Sequence, residues 1–168
     1  NDTLIGGTGD DTYIFTSVWG TDMIVENANE GNDTMDFSAI STALNVTLSS
    51  VIVTNGGNTA TYSGTSVENV YGGSASDTFT INGTQNVNLY GNAGDDTFIF
   101  NDSAALIGII NGGMGTDTLT FAPNTIGRDV ALTGLGNTDG FAGFNEDALF
   151  DNINALVGSA ATTDTLNG

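Results

Sequence analysis

Two stretches of this chain nearly repeat each other: Gly9 to Phe15 reads GDDTYIF and Gly94 to Phe100 reads GDDTFIF, an offset of 85 residues (94 − 9). Downstream, Asp33-Thr34-Met35-Asp36-Phe37 matches Asp117-Thr118-Leu119-Thr120-Phe121 at 84 (117 − 33), and Val46-Thr47-Leu48 matches Val130-Ala131-Leu132 at 84 (130 − 46). An internal repeat limits the possible folds to those in which one supersecondary unit stacks on the next. The chain is expected to hold two such units, 1–84 and 85–168, forming one continuous body. It opens inside a motif, at Asn1-Asp2-Thr3-Leu4, and reads as a window of a longer array.

A shorter period runs within each unit. Asp-Thr followed by an apolar residue occurs at Asp2, Asp11, Asp33, Asp77, Asp96, Asp117 and Asp164. The steps from Asp77 to Asp96 and from Asp96 to Asp117 are 19 and 21 residues (96 − 77, 117 − 96). That is one coil of two strands and two turns, so these aspartates are expected to stack on one edge, with Asp2 and Asp11 on opposite edges. The period of two after each Asp puts Tyr13, Phe15, Met35, Phe37, Phe79, Ile81, Phe98, Phe100, Leu119 and Phe121 on an inner face. The expected fold is all-β: a right-handed parallel β-roll or β-helix solenoid with coils of about 20 residues.

Two longer segments interrupt the motif. Ser38 to Val70 reads as strands with longer connections and a turn at Asn55-Gly56-Gly57-Asn58. In Ala122 to Val157, Ile153 to Val157 reads as strand, and a short helical turn is expected near Asn145 to Phe150.

Glycine turns beside aspartates also suggest chemistry. Gly112, Gly113 and Gly115 can take positive φ and aim carbonyl oxygens inward, where Asp117 adds a carboxylate. Such an all-oxygen pocket suits a hard cation of calcium size; zinc would ask for His or Cys, and the chain has neither. With 20 acidic residues against 1 basic, the net charge of −19 disfavours nucleic acid and anionic membranes and favours cations. Folding is therefore expected to depend on metal. No apolar run is long enough to insert in a membrane. Without His, Lys or Cys the chain lacks an ordinary nitrogen base or thiol nucleophile, and its carboxylates recur in turns instead of forming one constellation, so no enzyme is expected.

The pattern GGxGxDxUx, with U a large apolar residue, stands as Gly6-Gly7-Thr8-Gly9-Asp10-Asp11-Thr12-Tyr13-Ile14 and as Gly112 to Thr120. Degenerate copies are Gly91-Asn92-Ala93-Gly94-Asp95-Asp96 and Gly72-Gly73-Ser74-Ala75-Ser76-Asp77; Gly20-Thr21-Asp22 and Gly31-Asn32-Asp33 keep the second half. This resembles the repeats-in-toxin family of secreted bacterial calcium-binding proteins. The resemblance implies calcium at Asp11, Asp33, Asp77, Asp96 and Asp117, with carbonyls from Gly6, Gly7, Gly9, Gly31, Gly72, Gly73, Gly91, Gly94, Gly112, Gly113 and Gly115, and extends to Asp2, Asp22 and Asp164. A purely structural turn-capping role is the alternative for each Asp.

The longer pattern, ending in Val67 to Gly73 and in Asp151 to Gly158, is similar to tandem units of large bacterial surface adhesins and exoproteins. It implies secretion, an extracellular or cell-surface location, and a structural role in an adhesin, surface layer or matrix fibre. Partners would be calcium ions and copies of itself or adjacent repeats, end to end. Two alternatives remain open. One is an ice- or glycan-binding module using outward threonines at Thr12, Thr34, Thr78, Thr97, Thr118 and Thr165; the other is the calcium-dependent export tail of a secreted enzyme.

Overall fold

A computed structural model describes residues 1–27, 31–49, 52–62, 67–146 and 148–168. Among these the protein is all-β, without a helix, and most of its strands lie in two nine-stranded sheets. Sheet I runs, in spatial order, β1 (Thr3–Ile5), β3 (Thr21–Val25), β7 (Asn58–Tyr62), β6 (Ile52–Asn55), β5 (Asn45–Leu48), β9 (Thr78–Ile81), β12 (Thr97–Phe100), β15 (Thr118–Thr120) and β19 (Ala155–Val157). Sheet II runs β2 (Thr12–Ile14), β4 (Thr34–Asp36), β8 (Asn69–Tyr71), β11 (Asn88–Tyr90), β14 (Gly108–Asn111), β18 (Ala148–Ile153), β17 (Phe141–Asn145), β16 (Asp129–Leu135) and β20 (Thr165–Asn167). A small parallel pair, β10 (Thr84–Gln85) and β13 (Ala105–Leu106), bridges two connections. Apart from β5–β7 and β16–β18, each of which stays in one sheet, the chain visits the two large sheets alternately, which is compatible with a β-helix or β-roll.

The alternation of side chains explains the packing. Each Asp-Thr-apolar-x-apolar segment points its apolar residues between the sheets and its Thr outward. All ten residues expected inside are buried, seven of them completely. Because paired strands stand ~4.8 Å apart, equivalent aromatics stack rung on rung: Phe79 on Phe98 at 4.8 Å and Phe15 on Phe37 at 4.4 Å.

Not every pairing is parallel. In each unit the interrupted segment folds into an antiparallel triplet, β5–β6–β7 in sheet I and β16–β17–β18 in sheet II. The Asn55-Gly56-Gly57-Asn58 turn closes the first of these, with Gly56 at φ 56° and Asn55 paired to Asn58. Residues 50–51 and 63–66 of Ser38 to Val70 lie outside the described residues. Where a helical turn is expected near Asn145 to Phe150, Asn145 ends β17 and residues 148–150 belong to β18; residue 147 lies outside the described residues. Pairing Phe144 to Leu149 and Leu149 to Ile109 supplies the backbone partners that a local helix would have supplied.

Equivalent strands of the two units lie in opposite sheets. The GDDT strand of the first unit is β2, in sheet II; that of the second is β12, in sheet I. Between them the chain crosses from one large sheet to the other seven times, an odd number, which turns the second copy by half a revolution. The motif aspartates consequently form two stacks, with Asp77, Asp96 and Asp117 together on one edge as their spacing implied. Asp11 and Asp33 precede strands of sheet II, whereas Asp77, Asp96 and Asp117 precede strands of sheet I. The threonines split likewise: Thr12 pairs with Thr34 on sheet II, and Thr78, Thr97 and Thr118 are consecutive on sheet I.

Candidate metal centre

Asp33, Asp77, Asp96 and Asp117 are buried, at 0–1% exposure, and one oxygen of each accepts a backbone N–H from a neighbouring strand layer; Asp11 is half-buried. On the sheet I side the Leu44 N–H donates to Asp77 Oδ1 (2.8 Å), Asp77 N–H to Asp96 Oδ1 (2.7 Å) and Asp96 N–H to Asp117 Oδ1 (2.9 Å). The column ends where Asp117 N–H meets Asn154 Oδ1 at 2.8 Å. On the sheet II side Asp11 N–H donates to Asp33 Oδ1 (2.9 Å) and Asp33 N–H to Glu68 Oε2 (2.8 Å). These are the turn-capping bonds expected as the alternative to metal, and they occupy only half of each carboxylate.

The second oxygen separates the turns into two kinds. It curls back beneath the first glycine of the turn, within about 2.6 Å of where a Cβ would stand at Gly6, Gly72, Gly91 and Gly112, so only glycine fits. In the turn ending at Asp77, Gly73 N–H donates to Oδ2 at 2.6 Å and the carboxylate is satisfied. In those ending at Asp11, Asp96 and Asp117, Oδ2 is buried with no hydrogen-bond partner. Backbone conformation accounts for the difference. Those three turns have positive φ at their second and fourth residues: Gly7 and Gly9 (92° and 112°), Asn92 and Gly94 (72° and 114°), Gly113 and Gly115 (100° and 140°). In the Gly72 turn Ala75 stands at the fourth position, no residue is left-handed, and the second N–H faces the carboxylate.

Burial without a counter-charge raises proton affinity. Desolvation pushes Asp96 up to about 8 and Asp117 up to about 6, each partly offset by the N–H it accepts, and Asp77 is raised by the same cause. The single arginine does not relieve them, because Arg128 pairs with Glu146 at 3.3 Å and covers the Phe121 ring. Carbonyl oxygens lie close by: Gly112 O shares the approach to Gly91 with Asp96 Oδ2, and Asn152 O shares the approach to Gly112 with Asp117 Oδ2.

At the other edge, carboxylate oxygens of Asp11, Glu26 and Asp33 lie within 4.8 Å of one another. The Tyr13 hydroxyl donates to Glu26 Oε1, and burial, with that bond second, raises the Tyr13 phenol. Gly31 approaches Gly9 O so closely that a Cβ there would overlap it, which draws this turn onto the one before.

The structure thus brings Gly6, Gly7, Gly9, Asp11, Gly31 and Asp33 together at one edge and Gly91, Gly94, Asp96, Gly112, Gly113, Gly115 and Asp117 at the other. Gly72, Gly73 and Asp77 stack beside the second group but form a closed turn. Asp22 belongs to no glycine turn; it lies within β3, accepting the Asp2 N–H at 2.8 Å. Asp164, the outlying position, accepts N–H groups from Arg128 and Ser159. Glu26 and Tyr13 were not foreseen as site residues. Glu26 follows β3 outside any motif, and no spacing rule brings it to Asp11; only the parallel pairing does.

No family model matches this sequence, and no curated protein matches it.

Proposed function

We propose that this chain is a calcium-stabilised structural segment of a secreted bacterial surface adhesin, surface layer or extracellular fibre. It would be wound as a right-handed parallel β-roll or β-helix of about 20 residues per coil. The observation that carries the reading is the set of orphaned carboxylate oxygens. Three turns of one conformation each bury an Asp oxygen that the protein leaves without a donor, while the one turn of different conformation satisfies its own. An unpaired buried acceptor costs about 1–3 kcal/mol, more when charged. A hard cation among carbonyls would remove that cost. Paired residues 19 to 22 apart, such as Asn69 with Asn88 and Thr12 with Thr34, support the coil length.

Calcium would be held by Asp11, Glu26 and Asp33 at one edge and by Asp96 and Asp117 with neighbouring backbone carbonyls at the other. The bound ion would supply charge neutralisation and a cross-tie between turns. Circular dichroism during a calcium titration from chelator, with magnesium as control and sedimentation of the same samples, tests this. A cooperative gain of β signal with calcium alone is expected, and a rise in mass would accompany end-to-end assembly. A chain already fully β-structured in chelator and indifferent to calcium refutes the metal role.

A second reading, ice binding, has one specific observation behind it. On sheet I, Thr59, Thr54, Thr78, Thr97 and Thr118 share one outward column, with Asn45 between Thr54 and Thr78, and Thr61, Thr47 and Thr80 share the next, with Ile52 between Thr61 and Thr47 and Ile99 beyond Thr80. Variation in connection length falls in the turns and leaves this lattice of ~4.8 by ~6.7 Å in register. Thermal hysteresis lost on Thr97→Arg would favour it.

A further inference from the structure

The outer face of sheet II carries a different column: Asp36, Tyr71, Tyr90, Asn111 and Asp151 stand on five successive paired strands. Tyr71 and Tyr90 stack with centroids 4.3 Å apart and rings 6° from parallel. A third ring would continue the stack, but the next residue is Asn111, whose Oδ1 accepts from Asn152 Nδ2 at 2.8 Å. The stack therefore stops, and beside Tyr90 opens a cavity of about 190 Å³ lined by Asn92, Asn111, Met114, Thr138 and Asn152.

The polar rim is held in place by its own bonds. Asn92 Nδ2 donates to Gly72 O at 2.7 Å, and Asn152 Oδ1 accepts the N–H groups of Thr138 (2.7 Å) and Asp139 (3.3 Å). Among the described residues, no protein hydrogen bond uses Asn92 Oδ1, Asn111 Nδ2 or the Thr138 hydroxyl. One acceptor, one donor and one group that can be either thus border a slot with an aromatic wall.

We propose that this slot binds a neutral pyranose, the terminal or internal ring of a glycan, with its C–H face on Tyr90 and its hydroxyls on the asparagine rim. A flat aromatic ligand would cover Tyr90 but leave the amides unpaired, at a cost in affinity. A uronate or other anionic sugar would meet Asp151, paired to Asn111, and Asp139, next to Thr138, with no basic side chain lining the slot. Asn92 and Met114 lie in the two turns proposed to hold calcium, so the slot is tested with calcium present; its aromatic wall lies on the opposite sheet from the sheet I threonine columns.

Saturation-transfer NMR on the whole 168-residue chain, with neutral trisaccharides of glucose, galactose, mannose and N-acetylglucosamine and with trigalacturonate as the acidic control, tests it. Transfer to ring C–H protons of at least one neutral sugar is expected, and none to trigalacturonate. Asn111→Tyr fills the slot with the missing third ring and should abolish transfer while the melting curve is retained. Tyr90→Ala should weaken binding roughly tenfold, the equivalent of one lost aromatic face. The proposal is overturned if no neutral sugar of the panel receives transfer, if trigalacturonate binds as well, or if binding is undiminished in whichever of the two variants folds.

Discussion

Replacing Asp96 with Asn and Asp77 with Asn should move metal-free stability in opposite directions, although the two residues are equivalent in sequence and one strand layer apart. At pH 7 an unfolded aspartate is ionised, whereas buried Asp96, pushed up to about 8, takes up a proton on folding. Raising its affinity from the ordinary 3.8 to above neutrality costs about 3 units at pH 7, or about 4 kcal/mol as a ceiling. An asparagine needs no proton, keeps an oxygen for the Asp77 N–H, and can turn its NH₂ toward the nearby Gly112 carbonyl. Asp96→Asn should therefore stabilise the chelated protein by about 1–4 kcal/mol. Asp77 differs because both of its oxygens already accept N–H groups, from Leu44 and Gly73. Its Asn variant sets a donor against a donor and should lose about 1–3 kcal/mol. Urea unfolding at pH 7 in chelator, read by tyrosine and tryptophan fluorescence, measures both. If Asp96→Asn is destabilised as much as Asp77→Asn, the orphaned oxygen is not a liability and the reasoning fails.

The raised carboxylates also fix the pH dependence without metal. The folded state holds protons more tightly than the unfolded, so the contribution of Asp96 and Asp117 is complete below about pH 4 and is lost as pH rises through about 6 for Asp117 and about 8 for Asp96. Between pH 6 and 7 chelated protein should lose about 1.4 kcal/mol per unit for the proton on Asp96, and excess calcium should flatten or invert that slope; the check is urea midpoints across pH 5 to 8. Two glycines with positive φ should respond differently to alanine. Gly115→Ala places a Cβ against Gly94 O in the turn stacked on it and should cost roughly 2 kcal/mol or more, whereas Gly7→Ala, at φ 92° with open space around it, should cost about 1 kcal/mol by thermal melting.

Much of the fold was legible because one alternation is written many times. Asp-Thr-apolar-x-apolar states both which residues face inward and how far apart the rungs lie, and Phe79, Phe98 and Leu119 obey it. The antiparallel triplets were less visible, since their strands share the same alternation and only the Gly56-Gly57 turn signals a reversal. The second triplet lacks a comparably strong turn signal, which left Leu149 and Phe150 open to a helical reading. The site was legible one turn at a time but not in its division. Whether Gly73 or Gly113 offers its N–H to a carboxylate depends on φ, and the strongest sequence sign of it is Ala75, whose Cβ disfavours the left-handed conformation that Gly94 and Gly115 adopt. Glu26 reaches Asp11 only through the pairing of strands, which no local spacing encodes.

The odd number of crossings between units determines how the proposed metal sites would divide. Had the units been related by simple translation, the first GDDT turn would lie above the second and all motif carboxylates would titrate as one coupled column. Instead Asp11 and Asp33 stand at the edge that leads into sheet II and Asp96 and Asp117 at the edge that leads into sheet I, with the aromatic core between them. The first group gathers three carboxylates and the second has one per turn, and calcium affinity rises with the number of charged ligands. Calorimetric titration should therefore resolve two classes, the tighter at Asp11, Glu26 and Asp33. Glu26→Gln should remove or weaken the tight class alone, and Asp96→Asn the weak class alone. If both variants diminish one and the same transition, the two edges are not independent, and the half-revolution between the units does not partition the metal.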